Sequence, residues 1–167
     1  KKRFQKIGLK PLFKKFKQGF SYHFDAQHIH TGNIIGKTAV NKVCKLVITA
    51  HFDHLGHGNA FSREPGKKVI HNGADDNASG VALLLSLARY FSKHRHSMDY
   101  SILFVCFSGH ETGLHGSHHF VDAFKDQLSE VEYMLNFDMV GRLDTTAAST
   151  VYFRLPPESR WVIERTS

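Results

Sequence analysis

Val43-Cys44-Lys45-Leu46-Val47-Ile48-Thr49-Ala50-His51-Phe52-Asp53 runs from a β-branched, largely apolar stretch directly into a histidine and an aspartate. A run of this length and composition predicts a strand covered on both faces, near the centre of a sheet. Tyr100 to Phe107 repeats the pattern and is followed by His110 and Glu111, and Tyr133 to Phe137 repeats it again before Asp138, so three interior strands are expected. Between them, Val81, Leu84, Leu85, Leu87, Ala88 and Phe91 fit a helix from Ala78 to about Lys93, and Ser117 to Leu128 reads as a second. Strand, helix, strand, helix, strand is the order of an α/β sandwich. Upstream, Phe20 to Phe24 and Gln27 to His30 alternate apolar with polar as strands do, while Gly32 and Gly36 read as a turn before Lys42. The Gly-, His- and Lys-rich stretch from His54 to Asn72 has no period and reads as a loop.

Ligands of open α/β sheets bind beyond the carboxyl ends of the strands. His51 and Asp53 follow the first interior strand, His110 and Glu111 the second and Asp138 the third, so three strands deliver metal-type side chains to one edge. Period two puts His51 and Asp53 on one side of their strand, where Asp53 can help to orient the imidazole. Gly73-Ala74-Asp75-Asp76-Asn77-Ala78-Ser79-Gly80 places two carboxylates among small residues just before a helix. An N-cap at Asp76 or Asn77 accounts for one acidic residue and leaves the other unexplained.

The ordered set His51-Phe52-Asp53, Gly73 to Gly80, Glu111-Thr112-Gly113-Leu114-His115-Gly116-Ser117 and Asp138-Met139 resembles the zinc aminopeptidase family with two co-catalytic metals, the bacterial leucyl aminopeptidase-like metallopeptidases. The matching stretch runs from about Val43 to Arg142. The resemblance implies a three-layer α/β/α sandwich with a central mixed, largely parallel sheet. It also implies two zinc ions held by His51, Asp76, Glu111 and Asp138, with Asp76 bridging and Asp53 orienting His51. The activity implied is hydrolysis that removes residues from the free N-terminus of a peptide, through zinc-activated water. Two positions depart from the family. His110 stands where the family has the glutamate that serves as general base, so His110 is the candidate proton acceptor and slowed turnover is expected. The family's last histidine ligand lies far downstream of Asp-Met, and no histidine occurs between Asp138 and Ser167. The chain is therefore expected to be a single catalytic domain, 1–167, incomplete at its C-terminal end. His71 and His115 are the candidates for substitute ligation. Two alternatives accompany this reading: a glutaminyl-cyclase-like acyltransferase using one zinc, and a non-catalytic binding module that keeps the fold.

Bulk properties agree with a soluble globular domain: 167 residues, 41% hydrophobic and 22% charged. The formal charge of +7 is concentrated in the first seventeen residues, eight of which are Lys or Arg, so it does not argue for a nucleic-acid partner. There Phe4, Leu9, Leu12, Phe13 and Phe16 interleave with the cations, and the basic segment 1–19 is expected to dock on the core rather than to lie on a membrane. Cys44 and Cys106 sit in apolar runs and read as buried free thiols. No signal peptide is read at the start, and a secreted or periplasmic protein after signal removal is the expectation for compartment.

Overall fold

The computed structural model describes residues 1–12, 14–39, 41–58, 62, 67 and 69–142. Among the described residues, five strands, β1 (Lys17–Phe24), β2 (Gln27–Lys37), β3 (Cys44–His51), β4 (Ser101–Phe107) and β5 (Tyr133–Asn136), form one sheet in the order β1-β2-β4-β3-β5. β2 runs antiparallel to both β1 and β4, while β4, β3 and β5 are mutually parallel, so four strands point one way and β2 the other. The sheet is mixed and largely parallel, as expected.

Alternation along β4 builds two cores. Ile102, Phe104 and Cys106 face one side with Ile48, Ala50, Leu84 and Ala88. Leu103, Val105 and Phe107 face the other with Val47, Phe120 and Phe124. Helix α2 (Gly80–Lys93) therefore covers one face and α3 (His115–Phe124) the opposite face, which gives three layers. Emptying such a site, as in Leu84→Ala, costs about 2–5 kcal/mol. The N-terminal helix α1 (Lys2–Ile7) ends at Gly8, whose φ of 90° is the left-handed cap glycine adopts without penalty. Phe4, Leu9 and Phe16 insert into the α2 side of the core, with the Phe4 and Phe16 rings edge-on at 6.3 Å. The basic segment is thus tied down by its aromatic side chains, and its last residues already belong to β1. None of the helices among the described residues is long and apolar enough to cross a membrane.

Two expectations need correction. Gly32 and Gly36 do not form a turn: both lie inside β2, which continues to Lys37. A Cβ on Gly32 would come within 2.5 Å of the Gln18 carbonyl oxygen, and one on Gly36 within 2.9 Å of the Phe4 ring. These glycines serve close approach within and onto the sheet. β5 is not interior among the described residues; Tyr133, Met134 and Leu135 are exposed, and its only strand partner there is β3. A short apolar run cannot by itself tell an edge from a centre. Phe13 and the histidine-free stretch 143–167 lie outside the described residues.

Candidate metal centre and active site

Because β3, β4 and β5 are parallel, their carboxyl ends meet at one edge. His51 is the last residue of β3 and only 2% exposed. Its Nδ1 lies 3.1 Å from the backbone carbonyl of Asp53, which requires the proton on Nδ1 and leaves the Nε2 lone pair free. That Nε2 sits 3.0 Å from Asp76 Oδ1 and 3.4 Å from Asp138 Oδ1, and it is buried without a hydrogen-bond partner. A buried nitrogen that faces an oxygen of each of two carboxylates calls for a proton or a cation between them. Ligand atoms of His51, His110 and Asp138 also lie within 4.8 Å of one another, the only such His, Cys or carboxylate group among the described residues. An orphaned imidazole nitrogen and a mixed His and carboxylate donor set are what zinc takes, so the residues present fit that ion.

The two neighbouring aspartates have separate duties. Asp75 Oδ1 accepts from the Gly141 N–H at 2.9 Å and from Ser79 Oγ at 3.3 Å, fastening the loop beyond β5. Asp76 spends no oxygen on a cap. The residue that caps is Asn77, whose Oδ1 accepts the Gly80 N–H at 3.0 Å at the start of α2. Its Nδ2 donates to the Phe137 carbonyl at 2.9 Å, and its Oδ1 also accepts the Met139 N–H at 3.3 Å. Asn77 is 2% exposed and so joins the segment carrying Asp76 to the segment carrying Asp138 from within the core. Sequence reasoning gave this residue no role beyond a cap; an Asn beside the metal-type aspartate was the available signal. Gly80 is required next to it, since a Cβ there would fall 2.4 Å from Asn77 Oδ1 and 2.5 Å from the Phe137 carbonyl.

Asp53 orients His51 through its backbone carbonyl rather than its carboxylate, which stands 3.8 Å from Nδ1 at Oδ1. Its Oδ2 instead accepts the Glu111 N–H at 3.1 Å, tying the β3 end to the loop after β4. The Glu111 side chain shares a cleft of about 320 Å³ with Asp76, His54 and His71. Burial and the nearby Asp76 carboxylate raise the Glu111 carboxyl above its ordinary value of 4.5. The His110 ring stacks on His51 with centroids 3.9 Å apart and planes within 6°. Burial first, and then the His51 ring, lower the His110 imidazole below 6.5 against the opposing pull of the carboxylates, so it stays neutral near pH 7. Of the two histidines considered for substitute ligation, His71 lines the cleft and contacts Ser62 Oγ at 3.0 Å. His115 is held by the Thr112 carbonyl at 3.0 Å and stacks on Tyr22 at 4.0 Å, away from the cluster's ligand group.

A three-layer α/β/α sandwich with a histidine and carboxylate cluster at the carboxyl edge of its sheet has the layout of a metal-dependent hydrolase. The chain belongs to peptidase family M28, whose model matches residues 33–167. It is 33% identical over 120 residues to an aminopeptidase, YwaD, of Bacillus subtilis, covering 71% of this chain and 23% of that protein. It is also 42% identical over 69 residues to a probable zinc metalloprotease of Pyrenophora tritici-repentis, covering 41% of this chain and 14% of that one. Among solved structures, a Zn-dependent exopeptidase from Parabacteroides distasonis superposes with a TM-score of 0.69 at 21% identity, over 84% of this chain and 51% of the other. A glutaminyl cyclase from Fimbriiglobus ruber superposes with a TM-score of 0.58 at 20% identity, over 80% and 48%. The chain spans less than a quarter of the length of these two curated relatives.

Proposed function

We propose that the protein containing this chain is a zinc-dependent aminopeptidase that acts on peptides with a free N-terminus. The observation that carries the reading is the buried His51 Nε2, which has no hydrogen-bond partner and faces an oxygen of Asp76 and an oxygen of Asp138. His51, Asp76 and Asp138 would hold one ion, and Asp76 with Glu111 would contribute to a second. Zinc bound there supplies Lewis acidity toward the scissile carbonyl and makes water acidic enough to be deprotonated near neutral pH. The chain's own residues do the rest. The Asp53 carbonyl fixes the His51 tautomer, Asn77 holds the two aspartate segments in register, and the Asp53 carboxylate anchors the backbone of Glu111. His110, neutral and adjacent, takes the proton from water on a ring nitrogen and returns it to the leaving amine. An imidazole is a usable base at this pH, but its reach and charge differ from those of the glutamate it replaces, so turnover is expected to be slowed.

A second role for His110 is favoured by its membership of the ligand group: it binds the ion itself. The two roles part on substitution. If His110 is the base, His110→Glu in the full-length protein raises turnover by about tenfold or more while zinc content is unchanged; if it is a ligand, His110→Ala loses zinc. The aminopeptidase reading is tested by offering one peptide with a free and with an acetylated N-terminus, with and without chelator. Cleavage of the free form alone, lost with chelator, supports it. Cyclisation of N-terminal glutamine with one zinc per chain supports the acyltransferase instead, and two bound zincs with no turnover supports the binding module.

A further inference from the structure

The β1–β2 hairpin carries three histidines that the proposed activity leaves unused. Its two-residue turn, Asp25 and Ala26, has both residues at positive φ, 47° and 58°, the twist that suits a tight hairpin. Phe24 pairs with Gln27 across the turn, and His23 pairs with His28 in the next register position. Pairs flanking a two-residue turn alternate, so Phe24 and Gln27 exchange hydrogen bonds while His23 and His28 form the closer, non-hydrogen-bonded type, with Cα atoms about 4.5 Å apart. His30, two residues along β2, shares their face. All three side chains are exposed. The rings already gather: His23 and His28 centroids are 4.5 Å apart with planes within 10°, and His28 and His30 centroids are 4.3 Å apart.

We propose that His23, His28 and His30 form a binding site, separate from the peptidase cluster, for one divalent cation of the zinc and copper class. A His-x-His pair on one strand and a third histidine on its neighbour supply three imidazoles to one side of a sheet, and three imidazoles with an open fourth position are an established zinc geometry. Neutral nitrogen donors with no carboxylate among them discriminate against calcium and magnesium. The rings are now stacked rather than pointed at a common centre, and because they are exposed, rotation about their χ angles brings the nitrogens together without repacking the core. Mutual repulsion of their protonated forms, from His30 and His23 on His28, adds to desolvation in keeping His28 unprotonated, the state that ligates.

Such an ion would clamp β1 to β2. The opposite face of β1 presents Tyr22, whose hydroxyl accepts a hydrogen bond from Thr112 Oγ1 at 2.9 Å beside Glu111 and whose ring stacks on His115. A clamp on the hairpin therefore also steadies the loop that carries His110 and Glu111.

The test is zinc titration of the full-length protein after chelator treatment, with bound metal counted and the histidine ring C–H resonances followed by NMR. An Asp76→Ala, Asp138→Ala double variant, stripped of both carboxylates that face His51, is expected to retain one zinc that shifts the His23, His28 and His30 resonances. His28→Gln in that background is expected to lose this zinc, and His23→Gln or His30→Gln to weaken it roughly tenfold or more, at least what loss of a supporting residue costs a metal site. All three positions are exposed, so folding, checked by circular dichroism, is expected to be unchanged. Equal zinc affinity with and without His28, or zinc binding that leaves the three resonances unmoved, overturns the proposal.

Discussion

Asn77→Ala is expected to be among the most damaging single changes near the site, although Asn77 is not a metal ligand. The substitution deletes three hydrogen bonds, to the Phe137 carbonyl and from the Gly80 and Met139 N–H groups. A typical hydrogen bond contributes about 1 kcal/mol net, and a buried polar group left without a partner costs about 1–3 kcal/mol. The Gly80 bond is fully buried and the other two partly so. The expected loss is about 3–4 kcal/mol, which in a domain of this size lowers the melting temperature by about 6–16 °C. Because the bonds span the segments that carry Asp76 and Asp138, zinc affinity falls together with stability. Asn77→Asp keeps the acceptor for Gly80 but sets a buried carboxylate oxygen against the Phe137 carbonyl, so it is expected to be no milder than Asn77→Ala. The assays are urea unfolding of metal-free protein and zinc titration of the same variants. A loss below about 1 kcal/mol for Asn77→Ala, or full stability loss with unchanged zinc affinity, refutes the reasoning that this amide couples the two aspartates.

Asp76→Ala is expected to lose more metal from the peptidase site than Asp75→Ala, which frees only the loop around Gly141; metal analysis of both purified proteins decides, and equal loss moves the bridging role away from Asp76. Gly116→Ala drives a Cβ to 2.2 Å from the Ser108 carbonyl and 2.4 Å from Asn33 Oδ1. Since backbone must move, it is expected to cost about 3 kcal/mol, the upper end of overpacking penalties, in thermal unfolding. The folded His110 is held below its ordinary 6.5, so its contribution to stability is present above that pH and is lost as pH falls toward the folded value, because the unfolded chain binds the proton first. Metal-free protein is therefore expected to lose stability between about pH 7 and 5 more steeply than His110→Gln, and parallel slopes in urea unfolding count against the burial argument.

The parts of the fold that were legible in the sequence are those where burial is two-sided. Val43 to Ala50 and Tyr100 to Phe107 read as central strands because both of their faces are covered, and the polar residues that end them, His51 and His110, marked the edge where the site forms. What stayed hidden depends on which atoms meet. Gly32 and Gly36 looked like turn residues, since a glycine that admits a neighbouring backbone or ring is indistinguishable from one that bends the chain. The exposure of β5 is a matter of what lies beside it. The division of labour among Asp75, Asp76 and Asn77 follows from side-chain direction around a short non-helical stretch, with Asp76 at φ −103° and ψ 89°, which no residue pattern encodes.

The most direct test of the central claim is anomalous diffraction at the zinc edge from crystals of the full-length protein. The expected result is a zinc peak about 2.0–2.2 Å from His51 Nε2, Asp76 and Asp138 oxygens, with a second peak on the Glu111 side of Asp76. Zinc found elsewhere, with His51 Nε2 satisfied by a protein group and no density between it and the two aspartates, contradicts the account.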